Sequence, residues 1–218
     1  DLAAANLLEK DDDVLVLSTG YFGDSFAECI EAFGGKPKQL SAPADSRPNL
    51  DEFASLLKEK KYKAVTITHV DTSTGILMDV PAVTNGVKSV SPDTLVILDG
   101  VCSVGSEEIH MDAWGVDFLL FASQKGIGIP PGLSLSLASP RAIQTFEKRS
   151  SPPAGFYTSW KKWLPVMKAY ESRTPAYFAT PPTNLIYALH TSLKTMTQGQ
   201  VSLSQRFQIC LLYTSPSP

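Results

Sequence analysis

The chain has 218 residues, 43% of them hydrophobic and 19% charged, with a formal net charge of −3. This balance suits a globular protein with a sizeable core, and its largest basic cluster, Lys58-Glu59-Lys60-Lys61, is too small for a nucleic-acid surface. No apolar run approaches the roughly 18 residues of a membrane span, and the irregularly spaced Cys29, Cys102 and Cys210 indicate a reducing, intracellular setting without a disulfide framework.

Asp1-Leu2-Ala3-Ala4-Ala5-Asn6-Leu7-Leu8 reads as the inside of a helix. Val14-Leu15-Val16-Leu17 is a short buried strand closed by Ser18-Thr19-Gly20. Phe22, Phe26, Ile30 and Phe33 then recur at helical spacing, and Gly34-Gly35 stops that helix. Gln39-Leu40 forms a minor strand, residues 43–48 a loop, and Asn49 or Asp51 caps a helix with Phe53, Leu56 and Leu57 on its apolar side. The β-branched run Ala64 to Val70 is a strand ending in Asp71-Thr72-Ser73-Thr74-Gly75. A helix over 80–90 leads to strands at 94–98, 118–121 and 134–137, and Pro140 opens a further helix near its first position. Beyond a loop at Ser151-Pro152-Pro153, Trp160, Trp163, Leu164 and Met167 make an apolar face that Pro165 is expected to interrupt. Pro181-Pro182-Thr183 starts a last helix. Residues 1–199 read as one large domain. Residues 200–218 read as a tail, irregular or foreign to the rest, so the chain is expected to be a piece of a longer protein.

Strand and helix alternate at the rhythm of crossover connections. The expected fold is α/β, three layers around a mostly parallel sheet. Open sheets of this kind bind ligands at the carboxyl ends of their strands, and three strands end there in suggestive residues. Asp71-Thr72-Ser73-Thr74-Gly75 offers hydroxyls and a glycine, Leu98-Asp99-Gly100 a carboxylate, and Ser123-Gln124-Lys125 an amine. Desolvation at such an edge favours a neutral lysine, which attacks carbonyls. A strand-end Lys and a strand-end Asp are the two groups a pyridoxal phosphate site needs, one for the aldehyde and one for the pyridine nitrogen. The plain alternative is a surface lysine and a helix-capping aspartate.

From about Gly20 to Gly199 the sequence resembles the class V aminotransferases within the fold-type I pyridoxal phosphate enzymes, nearest the alanine–glyoxylate and serine–pyruvate group. The resemblance is carried by His69-Val70-Asp71-Thr72-Ser73-Thr74-Gly75, Leu98-Asp99-Gly100-Val101-Cys102-Ser103, Ser123-Gln124-Lys125, Pro130-Pro131-Gly132, Trp163-Leu164 and Tyr177-Phe178-Ala179-Thr180-Pro181-Pro182. It implies that Lys125 holds the cofactor as a Schiff base and then moves the substrate proton, and that Asp99 keeps the pyridine nitrogen protonated. It further implies Phe22 and Val101 on the two ring faces, Thr72 bonding the ring hydroxyl or holding the ring in plane, and Gln124 at the phosphate. Tyr177 and Thr180 would reach the phosphate of a neighbouring subunit, in a homodimer with shared sites.

Read without the resemblance, Phe22 is a core residue of its helix, and Tyr177 and Thr180 are loop residues near a helix start. His69 and His190 read as structural, and His110 as a turn residue rather than a metal ligand. The implied reaction moves an amino group between small amino acids and 2-oxo acids, most simply alanine and glyoxylate to pyruvate and glycine. The rival within the family is a cysteine desulfurase or lyase. Such enzymes have His before the lysine, where this chain has Gln124, and Cys102 sits where a packed cysteine is expected. The rival outside it is an inactive fragment serving as a binding module. The family's glycine-rich phosphate loop and carboxylate-clamping arginine have no counterpart here, and Arg47, Arg141, Arg149, Arg173 and Arg206 match none of its motifs.

Overall fold

The structure, a computed structural model, describes residues 1–43 and 45–214, the last five through their backbone alone. Ala44, in the expected loop, and Ser215–Pro218, at the end of the expected tail, lie outside the described residues. The strands are β1 (Asp13–Ser18), β2 (Lys36–Ser41), β3 (Ala64–Thr68), β4 (Val70–Asp71), β5 (Ile76–Leu77), β6 (Leu95–Asp99), β7 (Phe118–Ala122) and β8 (Ser134–Ala138). The helices are α1 (Leu2–Leu7), α2 (Tyr21–Ala32), α3 (Leu50–Glu59), α4 (Val80–Val90), α5 (Met111–Trp114), α6 (Pro140–Glu147), α7 (Trp160–Glu171), α8 (Thr183–Gln198) and α9 (Leu203–Thr214).

Six strands form one sheet in the order β2-β1-β3-β6-β7-β8, with β4 and β5 as a separate small antiparallel pair. Five strands of the main sheet run parallel and β8 joins β7 antiparallel at the edge. Covered strands lose polar alternation, and edge strands keep it. Val14 to Leu17 and Ala64 to Ile67 are accordingly buried throughout, whereas Leu137 on β8 is 53% exposed. On one face, Leu15, Leu17, Val65, Ile67, Val96 and Leu98 pack against Phe53 and Leu57 of α3 and Val80, Val83 and Val87 of α4. On the other, Val14, Val16, Ile97 and Phe118 meet Ala3, Leu7, Ala27, Ile30 and Trp160.

Local chemistry sets the helix boundaries. Of the two candidate caps, Asn49 is the one that acts, accepting bonds from Asp51 N and Glu52 N at 2.8 and 3.0 Å. Ser139 caps α6, and Gly34, at φ +85°, ends α2 as expected. Asp117 is buried and pins the start of β7 to its neighbours. It accepts from Val96 N at 2.8 Å and Ser139 Oγ at 3.0 Å, and pairs with the Arg141 guanidinium.

Two expectations change. Helix α7 runs straight through Pro165. The bond that proline cannot donate belongs to the carbonyl of Lys161, an exposed residue that water can serve. Residues 203–214, expected to be irregular, are helical.

Candidate active site

Parallel register lines up the strand ends. Thr68 pairs with Asp99, and Asp99 with Leu120. His69 N donates to Asp99 O at 2.9 Å, and Gly100 N to Leu120 O at 2.8 Å. The edge therefore carries, side by side, the Asp71–Gly75 turn, the loop after Asp99 and the turn holding Lys125.

Asp99 is half-buried. Its Oδ1 accepts from Val101 N at 2.9 Å, the one hydrogen bond to its side chain among the described residues. Burial pushes its carboxyl above the usual range, the Val101 bond opposes this, and the charge of Asp71 adds to the rise. A carboxylate so placed gains from any cationic partner brought to its open oxygen. Val101, half-buried, is fixed to it by the same bond.

Lys125 lies in a turn braced by Ser123. This buried serine donates through Oγ to Pro130 O at 2.9 Å, accepts from Leu133 N at 3.2 Å, and through its carbonyl accepts from Ile129 N at 3.1 Å. Lys125 and Gln124 themselves are both exposed. The sequence points to a buried strand-end amine; the lysine instead lies beyond the last strand residue, Ala122, and the described residues leave it exposed.

Two further elements grip the same loops. Ser192 of α8 donates to Ile127 O at 2.5 Å. Arg206 of α9 donates from Nε to Gly105 O at 2.7 Å and from Nη2 to Gly126 O at 2.5 Å. Arg206 thus ties the loop after Asp99 to the Lys125 turn, although it matches no family motif. Gly126 must be glycine, since a Cβ would drive into the backbone of Val104 and Gly105.

Phe22 is 41% exposed at the start of α2 and is no core residue; its ring meets Tyr21 edge-on at 5.3 Å. Thr72 is exposed in the turn between β4 and β5. Asp71, which the sequence offered only as part of a cluster, is fully buried and bonds to both neighbourhoods. Tyr177 and Thr180 share a hydrogen bond of 3.1 Å on the exposed segment before α8. Among the described residues no hydrogen bond joins them to the Asp99 or Lys125 loops.

The histidines divide. His69 is buried with its ring edge-on to Trp114, and burial lowers its pKa to about 4. His110 precedes α5 and bonds Glu108 at 2.8 Å, whereas His190 is exposed on α8. No helix among the described residues is long and apolar enough to cross a membrane.

Known proteins with this arrangement are numerous. The family described as aminotransferase class-V matches residues 1–210. The chain is 43% identical over 204 residues to alanine–glyoxylate aminotransferase 1 of Saccharomyces cerevisiae, covering 89% of this chain and 52% of that protein. It is 37% identical over 207 residues to a soluble hydrogenase small subunit of a Synechococcus species, covering 93% and 52%. The crystal structure of an alanine–glyoxylate aminotransferase from a Nostoc species superimposes with a TM-score of 0.85 at 30% identity, over 95% of this chain and 53% of that one. The chain spans about half the length of the relatives it matches. By sequence and by fold, it belongs to the class V aminotransferase family.

Proposed function

We propose that the protein carrying this chain is a pyridoxal phosphate-dependent aminotransferase exchanging an amino group between small amino acids and 2-oxo acids, alanine and glyoxylate first among them. The observation that carries the reading is the half-buried Asp99 carboxylate, raised by burial and bonded once, one strand from the turn that presents Lys125. A protonated pyridine nitrogen is the partner such a carboxylate lacks, so the residues present fit the cofactor. Of the two activities named among the relatives above, amino transfer is the one that uses a strand-end Asp and Lys.

When bound, the cofactor supplies an electron sink for the substrate's α-carbon. The chain's residues do the rest. Lys125 Nζ holds the cofactor's aldehyde end, then carries the proton to and from the substrate carbon. Asp99 holds the ring nitrogen protonated. Phe22 and Val101 would bound the ring faces, Thr72 would bond the ring hydroxyl, and Gln124 would reach the phosphate. Tyr177 and Thr180, already joined to each other, serve the phosphate of a second copy in a homodimer. The dimer is supported by the aromatic surface that a second copy would cover, with Phe156, Tyr157, Tyr177 and Tyr187 each at least 59% exposed.

The test is turnover in the full-length protein. Alanine and glyoxylate should give pyruvate and glycine in equal amounts, and Lys125→Ala should abolish both. Turnover retained by Lys125→Ala would remove the assigned mechanism. Sulfide released from cysteine, with no amino transfer, would replace the reading with a desulfurase.

A further inference from the structure

Between β1 and β3 the sheet reverses its order. β1 leads through α2 to β2 on one side, and the chain then returns to β3 on the other. The crevice at such a reversal is where parallel sheets place their ligands. Phe22 stands on its β1 lip and Thr72 on its β3 lip, and a single side chain joins the two.

Helix α2 has no capping side chain of its own, because its N-cap residue is Gly20. Its first N–H groups are met from the β4–β5 turn, about fifty residues along the chain. Phe22 N and Gly23 N donate to Asp71 Oδ2 at 3.1 and 3.3 Å. Ser73 donates to Asp71 Oδ1 from N at 3.0 Å and from Oγ at 2.6 Å, and Ser73 Oγ itself accepts from Tyr21 N at 2.9 Å. Asp71 is 0% exposed. The glycine is part of the device, since a Cβ on Gly20 would sit 2.9 Å from Asp71 Cγ and collide with Ser73 Oγ. The buried Asp71 side chain thus accepts four hydrogen bonds at the N-terminus of α2, two from the helix backbone and two from Ser73.

We propose that Asp71 is a positioning residue for the cofactor: it caps α2 from another strand and thereby fixes Phe22 and Thr72 at the spacing the ring requires. The proposal rests on the pyridoxal phosphate reading above. Asp71 acts through the backbone of Phe22 and Gly23 and through the turn carrying Thr72, and occupies none of the cofactor's own contacts. A helix could be capped locally by a serine or aspartate at position 20. Capping it from the opposite lip instead couples two segments whose side chains must face one ligand.

The experiment compares Asp71→Asn, the milder Ser73→Ala, and Asn49→Ala in the full-length protein. The last removes the cap of α3, remote from the crevice. Pyridoxal phosphate affinity is read by absorbance titration, amide exchange at Phe22 and Gly23 by mass spectrometry, and folding by circular dichroism. Asp71→Asn should speed exchange at Phe22 and Gly23 and weaken cofactor binding about tenfold. Ser73→Ala should do the same to a smaller degree. Asn49→Ala, which loosens a helix cap remote from the crevice, should leave affinity unchanged. Unchanged affinity in Asp71→Asn, or an equal loss in Asn49→Ala, would overturn the proposal. A wild-type protein that takes up no pyridoxal phosphate while Phe22 and Gly23 stay protected would remove the underlying reading instead.

Discussion

Replacing Asp99 by Asn separates what the residue does for folding from what it does for the ligand. In the fold the carboxylate accepts one backbone bond, from Val101 N, and the amide oxygen of Asn can accept the same bond. Against that bond stand the desolvation of a half-buried charge and the repulsion of Asp71, which together push the Asp99 carboxyl upward. A neutral Asn escapes both costs. Without cofactor, Asp99→Asn should therefore leave stability unchanged or raise it by up to about 1 kcal/mol, as substitutions that relieve functional sites commonly do. The cofactor loses a charge-assisted bond of about 1.5–3 kcal/mol, so its affinity should fall by about ten- to a hundredfold.

The two effects also differ in pH dependence. Because Asp99's folded pKa lies above its unfolded one, the folded chain binds the extra proton. Stability from this group is full at low pH and is lost as pH rises through the folded pKa, and Asp99→Asn removes that slope. Urea unfolding at several pH values, beside pyridoxal phosphate titration of the same samples, reads both quantities. If Asp99→Asn destabilised the cofactor-free protein by more than about 1 kcal/mol and bound cofactor as tightly as wild type, the carboxylate would be a structural cap and the reasoning would fail.

His69 gives the opposite slope. Its pKa falls from 6.5 to about 4 on burial, so the unfolded state binds more protons between those values and stability drops as pH falls through that window. The full difference is worth about 3 kcal/mol; His69→Phe should flatten it, and a wild-type protein equally stable at pH 7 and pH 4.5 would contradict the assignment. Arg206→Gln should break the link between the Gly105 and Gly126 carbonyls. Limited proteolysis should then cut faster in the Asp99 and Lys125 loops, with cofactor affinity reduced several-fold, and unchanged cleavage there would assign Arg206 a surface role.

Much of the sheet is legible because burial on both faces writes itself as unbroken apolar runs, as at Val14–Leu17 and Ala64–Ile67. The strand-end acid and amine are legible for the same reason, since each terminates such a run. What escapes is whatever depends on a distant partner. Asp71 stands in a conspicuous polar turn, but its role appears only when α2 arrives about fifty residues away in sequence. The one local hint is that α2 begins at a glycine with no capping side chain nearby. Arg206 bonds backbone carbonyls, which carry no residue signature, and α9 has too weak an apolar face to announce itself. Pro165 misleads because its cost depends on whether water can reach the carbonyl it fails to serve. The exposure of Lys125 is likewise a property of the folded turn.

On the proposed function, the cofactor attaches at Lys125. The most direct measurement is to add pyridoxal phosphate to the folded protein, reduce with borohydride and map the modified lysine by mass spectrometry. A pyridoxyl group is expected chiefly on Lys125, with far less in Asp99→Asn at the same cofactor concentration. Label spread over the surface lysines of the folded protein, or equal label in Asp99→Asn, would contradict it.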